Sequence, residues 1–502
     1  MDRSNSMNVI AKGAIILLFG SVLGKVFSLL YRIILSRFGE QAYGEFSLGL
    51  ALFGILSVIS VLGLDTGILR YLSVYSAEKN PAKIKGTVLF SIKTILLVST
   101  ILGFLLFILS DYISVTFFKT PSLSILLKIF AICLPFESLR TIFTHSFKAF
   151  KKIEYEVISR ILIENFIKIV LTTIFIYFGL GIVSAAIAYL ISLVISFIVS
   201  IYLLEKKFNT FTNSLAPIYN NKEIFYYSIP LVFNSLTLIL ITWIDTVMLG
   251  IFMTTAIVGI YNVAVPTGRL LLLFPKAFEA LYLPHLASVQ NNNDEFKKVY
   301  YTTTKWSIIF TSMSLFWLIF YAREVVLFFF KEPYLPAVTP LIILLIGYYI
   351  QGVLYTSRNL LLLIKKTKTI FVSTVFACLL NIVLNLILIP GYGMAGSALA
   401  STISLTVLGI IPLIVSIKET KIIPFNLRTI PIILLSLISA LITKYITNLI
   451  QINNLLIVII LSVISVALLN LLFLVIFKLL EKEDKDIVYL IGKKLSSLIW
   501  LK

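Results

Sequence analysis

The chain is 502 residues long, 59% hydrophobic and 13% charged, with a formal net charge of +19 at pH 7. So much apolar surface exceeds what the core of a water-soluble domain takes up, which excludes a soluble enzyme and indicates a polytopic membrane protein. Two histidines, His145 and His285, and two cysteines, Cys133 and Cys378, show no metal-ligand spacing and no Cys-x-x-Cys, so no metal, cofactor or disulfide framework is expected.

Apolar stretches of about 20 residues, long enough to cross a bilayer core as helix, recur along the whole chain. In order they cover about residues 13–35, 44–66, 86–109, 125–146, 157–178, 182–204, 225–249, 257–283, 303–330, 338–363, 370–389, 394–417, 429–448 and 455–480. Runs such as LLIVIILSVISVALLNLLFLVIF do not alternate, which excludes a barrel of strands and predicts an all-α polytopic membrane protein of about 14 transmembrane helices.

In the first helix Lys25 and Arg32 are seven residues apart and share one stripe with Ser28. These charges, and the lack of a small-residue cleavage site, argue against a signal peptide, so the helix is expected to stay in the mature chain. GSVLGKVF at Gly20 imitates a phosphate loop but is one spacer short and has no Ser or Thr after Lys25; Gly20 and Gly24 read instead as a close-packing face. Glu137 and Arg140 in the fourth helix, and Arg160, Glu164 and Lys168 in the fifth, have the spacing of sets that neutralise one another locally. Lys93 and Lys128 have no evident partner. Asp245 is a lone acid in the seventh helix, and in the eighth Arg269 and Lys276 repeat the seven-residue spacing of the first, with Pro275 as a candidate kink. Asp65 and Glu279 read as interfacial carboxylates near the cytoplasmic ends of the second and eighth helices. After the last helix, DKD at Asp484 resembles the Asp-x-Asp of a glycosyltransferase, but it sits in a charged run of mixed sign and reads as solvated tail.

The chain repeats itself. GLGIVSAAIAYLIS from Gly179 and GYGMAGSALASTIS from Gly391 are identical at six of fourteen positions, 212 residues apart. Each Gly-x-Gly reads as a tight external turn between two spans. AYGEFS at Ala42 pairs with IVGIYN at Ile257, and Lys151-Lys152 with Lys365-Lys366, at offsets of 215 and 214. This predicts two pseudo-symmetric six-helix lobes plus two C-terminal helices, with parallel repeats related by an axis along the membrane normal. The boundaries expected are an N-terminal lobe, 1–205; a cytoplasmic linker, 206–221; a C-terminal lobe, 222–420; two additional transmembrane helices, 421–480; and a charged cytoplasmic tail, 481–502.

With the N-terminus inside, cytoplasmic loops and the helix ends that adjoin them hold 27 of the 42 basic residues and their external counterparts hold five, which predicts both termini in the cytoplasm. The net charge then reflects topology and basic loops facing anionic lipid, so nucleic acid is not an expected partner.

Leu35 to Ser73, LSRFGEQAYGEFSLGLALFGILSVISVLGLDTGILRYLS, resembles the N-terminal signature of the polysaccharide biosynthesis exporters, the O-antigen and lipid-linked oligosaccharide flippases of the multidrug, oligosaccharidyl-lipid and polysaccharide exporter superfamily. The matching positions are Arg37, Gly39, Tyr43, Gly44, Gly63, Leu64, Arg70 and Tyr71. The resemblance implies movement of an isoprenoid-pyrophosphate-linked glycan from the inner to the outer leaflet of the cell membrane by alternating access. Such a cargo needs help, since each unpaired polar group taken into hydrocarbon costs several kcal/mol. If the chain packs like these relatives, Lys25, Arg32, Arg269 and Lys276 would border a central cavity and pair with the pyrophosphate, and Asp245 would neutralise one base in the empty state or take part in cation coupling. Lipid-linked oligosaccharide and membrane lipid are the expected partners, with a polysaccharide polymerase or glycosyltransferases as candidates; no catalytic residues are expected. The other function compatible with the same fold is a cation-coupled multidrug or metabolite exporter. Setting aside the charges at helix ends counted above, the spans hold ten bases (Lys25, Arg32, Lys93, Lys128, Arg140, Arg160, Lys168, Arg269, Lys276 and Arg358) against six acids (Glu45, Asp65, Glu137, Glu164, Asp245 and Glu279), a balance that favours an anionic cargo.

Overall fold

The computed structural model describes residues 20, 22–209, 214–289, 292–427, 429–452, 454–481 and 484, and every regular element among them is a helix. The order is α1 (residues 22–35), α2 (Glu40–Val61), α3 (Leu64–Ala77), α4 (Pro81–Tyr112), α5 (Leu123–Ala149) and α6, which runs from Ile153 through a π-helical stretch, Val157–Ile163, to Tyr177. Then come α7 (Ile182–Phe208), α8 (Asn221–Phe252), α9 (Thr255–Gly268), α10 (Leu273–Ser288), α11 (Asn293–Phe330), α12 (Val338–Leu363), α13 (Thr367–Thr420), α14 (Thr429–Ile450) and α15 (Leu455–Ile476). Ten helical stretches among the described residues are long and apolar enough to cross a membrane. The protein is therefore multi-pass. The 54 residues of α13 would extend about 80 Å as one straight helix, far more than a bilayer core of about 30 Å. Gly393, at φ 53° and ψ −130°, divides it.

Local chemistry explains where the helices stop. Among the described residues, seven of the ten non-glycine positions with positive φ are lysines: Lys79, Lys119, Lys151, Lys331, Lys365, Lys421 and Lys478. At a helix C-terminus the ammonium faces the negative end of the dipole and water, which offsets the cost of left-handed backbone. Lys151 and Lys365, a repeat pair, close α5 and α12 alike: the next residue's N–H reaches five residues back, Lys152 to Phe147 O and Lys366 to Leu361 O, both at 2.8 Å. The glycine turns differ in detail. Gly179 takes the left-handed conformation in the first copy, at φ 70°, whereas in the second it is Gly393, the other glycine of the motif.

Packing divides the described residues into two compact units, one of residues 1–266 and 378–400, the other of 267–377 and 401–502. In the first, the repeat pair Gly44 and Gly259 is the contact of α2 with α9. A Cβ on Gly44 would lie 1.7 Å from Thr255 O, and one on Gly259 would lie 2.0 Å from Glu40 O, so neither position admits a side chain. Tyr71, Phe143, Phe147, Leu204 and Ile224 centre an apolar core shared by α3, α5, α7 and α8.

In the second unit α14 and α15 pack on α11 and on each other through interhelical hydrogen bonds. Trp317 Nε1 donates to Ser462 at 2.9 Å, Asn470 Nδ2 to Ser436 at 2.8 Å, and Tyr321 pairs with Thr447 at 2.9 Å. Such polar contacts join helices where lipid removes the hydrophobic drive. Their other faces are apolar, with Leu434, Ile438, Leu468 and Leu471 exposed. Asp484 departs from the sequence expectation of a solvated tail. It is 2% exposed, and its carboxylate lies 2.6 Å from the buried ammonium of Lys305 on α11. Leu479 and Leu480 join an apolar cluster with Ile308, Ile309 and Ile432, and this anchors the segment that carries it.

Candidate functional site

In the first unit, α1 carries Lys25 on an exposed face and Arg32 half-buried. Gly20 is the close-packing position the sequence suggests: an added Cβ would lie 2.9 Å from Val157 on the π-helical stretch of α6. Arg32 Nη1 donates to Tyr43 Oη at 3.1 Å, and the Tyr43 hydroxyl donates in turn to Asn262 O at 3.1 Å. The guanidinium is thus oriented by a neutral phenol that leaves its positive charge intact.

Asp245 on α8 is buried and doubly held. Its Oδ1 accepts from Asn385 Nδ2 and its Oδ2 from the Tyr261 hydroxyl, both at 2.9 Å. Asn385 also donates to Asn381, so the carboxylate sits in an amide-rich pocket built by α8, α9 and α13. Arg32 and Asp245 are thus held by different partners, Tyr43 for the one and Asn385 and Tyr261 for the other.

In the second unit, the helix tightens into a 3-10 turn over Arg269–Leu272 just ahead of Pro275. Proline has no N–H to return to residue 271 and its ring crowds that carbonyl, which accounts for the change of winding where the sequence suggested a kink. Arg269 Nε donates to Tyr348 Oη at 3.1 Å, so it too is tethered by a phenol, while Lys276 is exposed. Glu279 lies in α10 with its side chain outside the described residues, and Asp65 keeps Oδ1 buried without a partner among them.

The charges read as self-neutralising do so, across helices as well as along them. Arg140 bonds both Glu137 and Glu164, and Lys168 lies 3.7 Å from Glu164. Lys168 also stands 4.8 Å from the Tyr31 ring and 5.3 Å from the Tyr189 ring, tying α6 to α1 and α7. Lys128 finds a partner in Asp111, at 2.9 Å, and Lys93 is exposed. Sequence reading singled out Tyr43 as a signature position but not as the partner of Arg32, and missed the phenol Tyr348 and the amides Asn381 and Asn385. Only their polarity within apolar helices could have flagged them.

The fold recurs in solved structures. The structure of a lipid II flippase, MurJ, in an inward closed conformation superposes with a TM-score of 0.72, at 20% identity over 91% of this chain and 99% of that one. A multidrug resistance MATE family transporter of the MOP superfamily, inward-facing, gives 0.68 at 15% identity over 79% and 94%. Two curated proteins of Haloferax volcanii are similar in sequence. The probable low-salt glycan biosynthesis flippase Agl15 is 26% identical over 190 residues, 38% of this chain and 40% of that protein. The probable flippase AglR is 26% identical over 198 residues, 38% and 39%. The chain therefore aligns with about two fifths of the length of these relatives. The family model described as polysaccharide biosynthesis protein matches residues 10–278, more than half of the sequence. The chain belongs to the polysaccharide biosynthesis protein family, in a MurJ-like and MATE-like fold.

Proposed function

We propose that this protein is a flippase that moves an isoprenoid-(pyro)phosphate-linked oligosaccharide from the cytoplasmic to the outer leaflet of the cell membrane by alternating access, for assembly of a surface polysaccharide or glycan. The observation that carries the reading is the pair of membrane-embedded arginines, Arg32 and Arg269, each aimed by a tyrosine hydroxyl at 3.1 Å. A phenol fixes the direction of a guanidinium without cancelling its charge, which suits a transient anionic ligand. Family membership and the names of the Haloferax relatives support the same reading.

The candidate bases for the anionic headgroup are Lys25, Arg32, Arg269 and Lys276. Both termini face the cytoplasm, in accord with the distribution of Lys and Arg. The six-helix repeats, 1–205 and 222–420, are the moving lobes, and the two final helices offer the lipid tail a surface. A polymerase or glycosyltransferase takes the product.

The test is the sidedness of lipid-linked oligosaccharide, read with a membrane-impermeant glycan-modifying reagent in cells with and without the protein. Loss of the protein is expected to trap the intermediate on the cytoplasmic leaflet, and Lys25→Gln/Arg32→Gln/Arg269→Gln/Lys276→Gln to do the same at normal protein level. Unchanged sidedness in the null cells would sink the reading.

Asp245 favours a second reading, a cation-coupled exporter. A buried carboxylate that shares its pocket with the amide oxygens of Asn381 and Asn385 is a place for a cation as well as for a counter-charge. That reading expects sensitivity to small cationic compounds in null cells and recovery that requires Asp245.

A further inference from the structure

Arg160 is the loose member of the charged set in the first unit. Among the described residues four bases, Arg140, Lys148, Arg160 and Lys168, meet three acids, Glu137, Glu156 and Glu164, which leaves one positive charge in excess. Each acid has a closer partner than Arg160: Arg140 bonds Glu137 and Glu164 directly, and Lys148 lies 3.0 Å from Glu156. Arg160 reaches Glu137 and Glu156 only at 4.0 Å, the limit of an ion pair, and its side chain is 44% exposed where that of Arg140 is 3%. The excess charge therefore sits on the arginine that faces out of the network.

Arg160 belongs to the π-helical stretch Val157–Ile163 of α6. The wider winding is held from the side: Ser196 Oγ on α7 donates to Ser159 O and Asn165 Nδ2 to Ile161 O, both at 2.8 Å, so the carbonyls flanking Arg160 are tied down. Turns of this kind gather at functional sites. α1 rests against the same stretch, with a Cβ on Gly20 placed 2.9 Å from Val157 and one on Gly24 placed 3.5 Å from Ile161. Lys25 and Arg160 are the sequence neighbours of the second contact, so Arg160 stands alongside the helix that carries two of the candidate headgroup bases. At 1.5 Å per residue it lies about 10 Å along α6 from Ile153. On the orientation proposed above this is measured from the cytoplasmic end, a depth from which a long basic side chain reaches the phosphates of the inner leaflet. A charge within a span is costly unless it is paired or has a task, and pairs at 4.0 Å already belong to closer partners. A phosphate supplies what is lacking, a negative charge for the excess positive one and two oxygens for the guanidinium fork.

We propose that Arg160 is a further base of the cargo site, one that takes the phosphate of the lipid-linked substrate in the cytoplasmic leaflet, beside α1. The assignment rests on the flippase reading above for the identity of the lipid. An anionic phospholipid offers the same phosphate chemistry, and the experiment separates the two sources.

The experiment measures binding of farnesyl pyrophosphate, farnesol and inorganic pyrophosphate to the full chain in phosphatidylcholine nanodiscs, for wild type, Arg160→Gln and Arg160→Lys, with the thermal unfolding of each. Arg160→Gln is expected to bind farnesyl pyrophosphate about tenfold more weakly, the scale of one charge-assisted hydrogen bond. It is also expected to melt like wild type, because every carboxylate keeps its closer partner. Arg160→Lys keeps the charge without the fork and is expected to fall between the two, with farnesol bound equally by all three. Affinity equal to wild type in Arg160→Gln overturns the proposal. Should that variant fail to fold, Arg160→Lys decides: weaker binding at the wild-type melting temperature supports the site, and full binding overturns it. Inorganic pyrophosphate bound as tightly as farnesyl pyrophosphate would overturn a lipid as the occupant. Replacing phosphatidylcholine by phosphatidylglycerol is expected to leave the dependence on Arg160 in place; its disappearance would make bulk anionic lipid the occupant and overturn the cargo assignment. Leaflet sidedness is followed in parallel: if it depends on the protein while the affinity order fails, the Arg160 site alone is wrong. If the affinity order holds while sidedness does not depend on the protein, the flippase reading is wrong and the anion site stands.

Discussion

Arg140 shows what a single charge does in this membrane interior. It is 3% exposed and holds Glu137 and Glu164 at once, so Arg140→Met removes the nearest partner of both carboxylates and leaves only the longer pairs with Arg160, at 4.0 Å, and Lys168, at 3.7 Å. The expected cost is about 3–5 kcal/mol, read as a lowered melting temperature of the purified protein. Adding Glu137→Gln and Glu164→Gln is expected to return most of it, and a triple variant no more stable than the single would show that the network is not what Arg140 supports. Tyr43 is the functional counterpart. Tyr43→Phe removes the acceptor for Arg32 and the donor to Asn262, and is expected to slow export several-fold, about 1 kcal/mol of positioning, at unchanged protein level. Export at the wild-type rate would make that phenol incidental. The bases themselves were legible in the sequence because charge inside an apolar run stands out. Their tethers were not, because a tyrosine in such a run is equally at home as an apolar filler, and which it is depends on a partner at |i−j| of 11 or 79. Lys305 and Asp484 are the extreme case. They lie 179 residues apart, and mixed charge after the last span has the composition of a solvated tail.

At the scale of elements, the repeat that sequence offsets suggested is visible in backbone geometry. Lys151 and Lys365 end their helices with the same hydrogen-bond closure, and Gly44 and Gly259 meet each other directly. Gly44→Ala and Gly259→Ala would each drive a methyl into backbone of the other helix, and both are expected to abolish folded protein on size-exclusion chromatography. Gly181→Ala and Gly391→Ala meet nothing within 4 Å and have no positive φ, so they are expected to be tolerated. Aggregation of these two would mean that the turns need glycine for reasons other than space. Span positions were readable from apolar runs of the right length. The change of winding at Arg269–Leu272 was half readable: Pro275 announces a disturbance, but only the packed chain decides whether it is a bend or a tighter turn.

For the molecule as a whole, on the flippase reading proposed above, the charge of a pyrophosphate-linked cargo sets the energetics. Each negative charge moved outward through an inside-negative potential gains about 2.3 kcal/mol per 100 mV, roughly doubled for a dianionic pyrophosphate. Collapsing the potential in cells is therefore expected to slow the appearance of glycan on the outer leaflet. If transport instead follows a proton or sodium gradient at zero potential and Asp245→Asn abolishes it, the driving force enters through the carboxylate held by Asn385 and Tyr261.

The lysines that end the helices also carry an address. All seven are exposed, and on the orientation proposed here Lys79, Lys151, Lys365, Lys421 and Lys478 face the cytoplasm while Lys119 and Lys331 face outward. A membrane-impermeant amine reagent applied to intact cells is expected to modify the second set and spare the first, and inverted vesicles should reverse the pattern in a peptide mass map. The residues that punctuate the chain would then serve as its compass, because the ammonium that caps a helix must also choose a side of the bilayer.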